Sequence, residues 1–379
     1  MEVGVSRDAD ARAATVAAVT QASGGRTPAL VILFVSPALD VPAVAVAARE
    51  VLGADVPVVG CTTSGEISLA SVGSGHVVAI GLGGEGVQVR TAVGRFEDGA
   101  RQAGEQAASA LLGLDAPHRA LLLIADGLAG ARSEVVRGAY GVAGAEVPFV
   151  GGCAGDELAM QATFQIHGDE VLTGVVVGVG LGSPSPIAIG VGHGWRRLGE
   201  PMVVTESDGQ RVFTLNDRPA ADSIEEALGA RLRSTSDPQA WRRLGLSHPV
   251  CLTRSGGEEI RAVLGIGWDD GSLICGDVPR GSMLTAMEGD AGTVADGTRA
   301  ACEALLTELG GLEPVGVIAF DCAARRAVLG EDALTDEVAT MAEYLPGVPV
   351  AGFYTMGEFA RTRGARGVHN ATLALMALT

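Results

Sequence analysis

The sequence predicts an α/β fold: mixed or parallel sheets with helices packed on them, built from three related helix-strand-helix-strand units in two domains. Three observations carry this. A phrase recurs, reading VPVVGCTTSGE over 56–66, VPFVGGCAGDE over 147–157 and VPVAGFYTMGE over 348–358. Each copy follows a Pro-led apolar run starting at Pro28, Pro117 and Pro314, and the spacing from that Pro to the Pro of the phrase is 29, 31 and 35 residues. Ala-rich stretches ending at glycine precede each run, at about 10–24, 98–113 and 292–310. A fixed recurrence of this kind marks a repeated supersecondary unit.

The elements follow in order. Ala and Leu favour helix, and a glycine just past the end supplies a left-handed cap. The Pro-led runs are continuously apolar, as strands covered on both faces must be. A second helical stretch joins each strand to its phrase, at 41–52, 133–140 and 335–344. Strands joined through helices lie parallel in a mixed sheet. After each phrase come further strands: 76–81 with 87–93, then 174–181 with 187–191, then 370–377. Units one and two thus fill the first domain, 1–198. The second, 199–379, holds an α+β stretch with a polar segment at 234–243, followed by the third unit.

Composition narrows the function. The net charge of −18 repels nucleic acid and anionic membranes, so neither is expected as a partner. All 27 basic residues are Arg, which excludes Schiff-base chemistry and a Walker A loop. No apolar stretch approaches the roughly 20 residues that span a bilayer. The start, residues 1–8, is polar, so a cytoplasmic location is expected. The six cysteines form no C-x-x-C pair and read as reduced, buried thiols.

The phrases GCTTSGEI and GGCAGDE, with the segments 203–215, Asp321 to Arg326, Gly352 to Glu358 and His369 to Leu373, resemble FIST-domain proteins, N-terminal then C-terminal domain. The resemblance covers nearly the whole chain. It implies a small-ligand sensory module acting in signal transduction, with an amino acid or other metabolite as ligand. Some stand-alone members bind haem, respond to nitric oxide and regulate histidine kinases. The alternative is therefore a haem-based sensor of a diatomic gas, acting on a histidine kinase or another signalling partner.

The glycine-acid turns are the leading ligand-binding candidates. Small residues admit close backbone approach, and a carboxylate binds polar groups. They are Gly60, Thr62, Thr63 and Glu66; Gly151, Gly155 and Asp156; Gly352, Thr355, Gly357 and Glu358; with His369 and Asn370 in the terminal motif. Strand ends are where open α/β sheets bind ligands. The competing reading is a repeated structural turn whose acids cap backbone N–H groups. For haem, His193 and then His248 are the axial candidates, with Arg196 and Arg197 for the propionates. No His or Cys pair has zinc-ligand spacing, so no other metal is expected.

Two further motifs bear on function. Gly81-Leu82-Gly83-Gly84-Glu85-Gly86 matches G-x-G-x-x-G, but a strand follows it rather than a helix, so it reads as a hairpin turn. Cys61 and Cys153 sit in related places and raise a Cys-dependent enzyme as a second alternative. Phe353 and Tyr354 occupy those places in unit three, which favours packing, and the expectation is that the chain is not an enzyme.

Overall fold

A computed structural model describes residues 1–229, 232–234, 244–254, 257–361 and 367–379. Most of the polar segment expected at 234–243 therefore lies outside the described residues. Each unit has the same order: strand, helix, strand, helix, strand, a pair of short strands, strand. Unit one comprises β1 (Glu2–Ser6), α1 (Ala11–Ser23), β2 (Leu30–Val35), α2 (Val41–Leu52), β3 (Val58–Thr62), β4 (Glu66–Ser68), β5 (Ser71–Gly73) and β6 (Val77–Leu82). Unit two comprises β7 (Gln88–Arg95), α3 (Ala100–Ala108), β8 (His118–Ala125), α4 (Arg132–Ala143), β9 (Phe149–Cys153), β10 (Gln165–His167), β11 (Glu170–Leu172) and β12 (Val175–Ser183).

Unit three opens with β13 (Ile187–Gly192) and is then interrupted. An inserted body follows, with β14 (Arg196–Ser207), β15 (Gly209–Leu215), β16 (Arg218–Pro219), α5 (Ala220–Leu228), β17 (Val250–Arg254), β18 (Gly257–Arg261), β19 (Gly265–Ile266), β20 (Leu273–Val278) and β21 (Met283–Glu288). The unit resumes with α6 (Ala291–Leu309), β22 (Gly316–Cys322), α7 (Ala323–Leu329), α8 (Glu331–Tyr344), β23 (Val350–Thr355), β24 (Glu358–Arg361), β25 (Val368–His369) and β26 (Leu373–Leu378).

The three core sheets have one order. They run β1-β6-β2-β3-β10-β11, then β7-β12-β8-β9-β24-β25, then β13-β26-β22-β23-β4-β5. Within each, only the central pair is parallel: β2 with β3, β8 with β9, β22 with β23. The short strand pairs are exchanged. That of unit one completes the sheet of unit three, that of unit two the sheet of unit one, and that of unit three the sheet of unit two. The exchange closes on itself, so each unit supplies an outer edge to a neighbour and receives one, which pairs backbone groups that an edge would leave open.

Helices cover the outer faces and the inner faces share one core. Phe34, Phe320 and Phe353 meet at its centre, with ring centroids 4.6 to 6.4 Å apart. Asp10 and Asp40 cap α1 and α2 through their side chains, and Asp290 forms a capping box with Thr293 on α6. Many glycines serve close approach rather than turning. A Cβ on Gly104 would lie 2.0 Å from the Val135 carbonyl oxygen, and one on Gly138 1.9 Å from that of Arg101, so α3 and α4 touch backbone to backbone.

Some expectations change. The strand at 187–191 does not close unit two; it pairs with β26 and opens the third sheet. The boundary expected at 198 falls inside β14, and strands from either side of it share sheets, because the insertion splits unit three in sequence. The turn at 81–86 is followed by a strand, but β6 and β7 belong to different sheets, so it is a link between units and not a hairpin.

Candidate functional site

The turns of units one and three share one construction. The Thr63 hydroxyl donates to the Glu66 carboxyl, and Thr355 does the same for Glu358. Each Thr oxygen also accepts the N–H two residues on, from Gly65 at 3.1 Å and from Gly357 at 3.2 Å. The second Glu oxygen takes the His76 N–H at 3.0 Å in unit one, and the Thr372 N–H and hydroxyl at 3.2 and 2.9 Å in unit three. Both acids are fully buried. Burial pushes Glu66 up to about 8 and Glu358 up to about 7, against the lowering by these hydrogen bonds. His76 lies 3.5 Å from Glu66, and burial lowers it to about 4. At neutral pH Glu66 and His76 are therefore an uncharged buried pair.

Unit two departs from this. The strand register aligns Gly151 with Gly60 and Gly352, which puts Ala154 where the others have Thr and Glu157 where the others have Glu. Glu157 is exposed. Asp156 instead accepts the N–H groups of Met160, Gln161 and Ala162 at 3.1, 2.6 and 3.2 Å. Residues 157–164 form a loop before β10 that the other units lack. The acids of the three units are thus held by local partners.

That loop walls a cavity of about 610 Å³ between the core and the inserted body. Its floor is Gly127 to Arg132 at the start of α4, Cys322 to Ala324, Thr355, Met356 and Asn370; its other wall is Leu246, residues 261–266, Trp268 and Ile274 to Asp277. Interfaces between bodies are favoured places for small-molecule sites, and the size is in the usual range of about 300–1,000 Å³. Met160, Leu264 and Trp268 are large apolar residues left 47, 50 and 51% exposed, and all three line it. Four non-glycine residues with left-handed backbone, Ala131, Leu158, Met160 and Asp277, line it too. Such residues cost about 1–3 kcal/mol each and gather at ligand clamps. A bond from Ser133 to Asp277, 2.6 Å, ties α4 to the inserted body beside the cavity.

Of the residues singled out from sequence, Thr355 and Asn370 line this cavity. Gly60, Gly151 and Gly352 do not; they let parallel strands approach, since a Cβ on any of them would fall within 2.2 Å of a carbonyl oxygen. Thr62 accepts the Phe164 N–H at 3.0 Å, and Gly155 packs on Ser64. His369 bonds the Ala360 carbonyl at 2.9 Å. Reasoning from sequence missed Arg132, the loop 157–164 and the inserted wall. The signal for the loop was present: the second phrase lacks the Thr-x-x-Glu spacing of the other two.

The haem candidates do not come together there. His193 accepts the Trp195 N–H at 2.9 Å, and His248 bonds the Leu244 carbonyl at 2.9 Å; neither lines the cavity. Arg196 and Arg197 are exposed and pair with Asp296 and Glu258. These four residues do not fit a haem pocket. Among the described residues no group of three or more His, Cys, Asp or Glu is placed to hold a metal ion. Burial raises Cys61 well above its usual range and Cys153 to about 11, so both are thiols at neutral pH.

The architecture is a repeated core, an inserted body and an apolar cavity between them. The FIST N domain matches residues 29–218 and the FIST C domain residues 220–361, and the chain belongs to the FIST family. Family members are associated with sensory signal transduction and small-ligand binding. An uncharacterised protein of Mycobacterium tuberculosis is 29% identical over 215 residues, 54% of each chain, and one of Mycobacterium bovis is 28% identical over 214 residues, again 54% of each. The chain spans about half the length of the curated relatives it matches. Among the described residues no helix is long and apolar enough to cross a membrane.

Proposed function

We propose that this protein is a small-ligand sensor, not an enzyme, which binds its ligand in the cavity between core and inserted body and signals through a separate protein. The carrying observation is the cavity itself, walled by strained and exposed apolar residues at the one turn where the repeat departs from its own pattern. A ligand there touches both bodies at once, so occupancy biases how they pack, and that difference is what a partner reads. The buried, protonated state of Cys61 and Cys153 weighs against a thiolate nucleophile. The haem and nitric-oxide alternative draws no support from His193, His248, Arg196 and Arg197. Titration with Nile red, a neutral apolar dye, tests the reading. Saturable one-to-one fluorescence enhancement, lost when Ile274→Trp fills the cavity, is expected; no saturable binding refutes it.

A further inference from the structure

The two Thr-x-x-Glu turns each carry an arginine from outside the turn, and the two arginines are placed differently. A Cβ on Gly65 would lie 2.1 Å from Arg326 Nη1, and one on Gly357 would lie 2.8 Å from Arg132 Nη1. Arg326 is tied down: it bonds the Ser64 carbonyl, Ser74 at 3.1 Å and the Glu331 carboxylate at 2.7 Å. Arg132 donates to the Gly127 carbonyl at 3.1 Å and to the Cys153 sulfur, and among the described residues it pairs with no acid and its Nε has no partner. Arg132 faces the cavity and Arg326 does not.

Asn370 is the second observation. It is more than nine-tenths buried, at 8% exposure, lines the cavity, and among the described residues its side-chain amide has no hydrogen-bond partner. The amide opens onto the cavity, where its donor is available to a ligand acceptor. Its Nδ2 lies 2.9 Å from the same point over Gly357 that Arg132 Nη1 approaches. The two donors therefore converge. They do so beside the start of α4, twelve residues long, where Ala131 supplies no side-chain cap and the helix end is partially positive.

We propose that Arg132 and Asn370 hold the carboxylate of a small monoanionic acid whose apolar body fills the cavity toward Leu264, Ile266 and Trp268. A single charge is favoured because Arg132 is opposed in the lining by Asp277, and Arg261, the other cation there, is already bound to Glu259 at 2.6 Å. A dianion would be left undercompensated. An ammonium group beside the carboxylate would face the Arg132 charge, which disfavours it. This rests on the cavity being the ligand site.

The test uses displacement of Nile red by three molecules of one shape: 4-phenylbutyrate, its amide, and 2-amino-4-phenylbutyrate. Charge-assisted bonds are worth about 1.5–3 kcal/mol, so the acid should displace the dye at least about tenfold better than the amide. Arg132→Gln and Asn370→Asp should each abolish that preference while keeping dye binding and the wild-type circular dichroism. Equal displacement by acid and amide, a preference that survives both substitutions, or tenfold stronger displacement by the amino acid overturns the proposal. If the dye itself fails to bind, the cavity reading fails instead, which is a separate result.

Discussion

Glu66→Gln should change the pH dependence of stability in a defined window. In the folded chain Glu66 sits at about 8 and His76 at about 4, against ordinary values of 4.5 and 6.5. From about pH 4.5 to 6.5 the folded pair carries one proton, on Glu66, and the unfolded pair also carries one, on His76. Their linkage contributions cancel there. Above 6.5 the unfolded pair has lost its proton while the folded pair keeps it, so stability falls as pH rises. The slope is about 1.4 kcal/mol per pH unit, or roughly 2 kcal/mol between pH 6.5 and 8. Gln removes the raised group and leaves His76. The variant should therefore gain on the wild type steadily from pH 4.5 to 8, and most of the wild-type loss above 6.5 should vanish. Urea midpoints of both proteins at pH 5, 6, 7 and 8 measure this. A stability difference that is constant across those pH values, or that shrinks as pH rises, would show that Glu66 is ionised in the folded state.

Other outcomes follow from the same geometry. Gly65→Ala forces a side chain into left-handed backbone at φ +120° and onto Arg326 and Tyr354; it should cost about 2 kcal/mol or more in urea denaturation. Arg325 is fully buried and bonds Asp321 and Glu337 at 2.6 Å each, Thr298 at 2.7 Å and the His193 carbonyl at 2.8 Å. Arg325→Met strands two buried acids, so a loss of about 3–5 kcal/mol is expected, and a loss under 1 kcal/mol would count against the ion cluster. Cys61 and Cys153 should react with a thiol reagent at neutral pH only as fast as the protein unfolds; fast labelling of either one in the native protein would return the Cys-dependent enzyme to contention.

The sequence by itself determined the repeat, its helices and strands, and the turns in which Thr63 and Thr355 meet Glu66 and Glu358, because these depend on residues close along the chain. Propensity, capping and i to i+3 side-chain bonds are local, and a phrase repeated three times reports them three times. It also held the clue that unit two differs, in Ala154 and Glu157. Which sheet each short strand pair joins was decided only by tertiary structure. Backbone hydrogen bonds carry no residue identity, so β4 reads equally well as an edge of its own unit or of its neighbour's. The same holds for β13, whose apolar alternation suits either sheet and whose partner β26 lies about 185 residues away. The cavity was the least legible feature. Arg132, Met160, Trp268, Asp277 and Asn370 come from separate stretches of the chain. Nothing local links them, and they meet only because an insertion in the third unit packs back over the turns of the second and third.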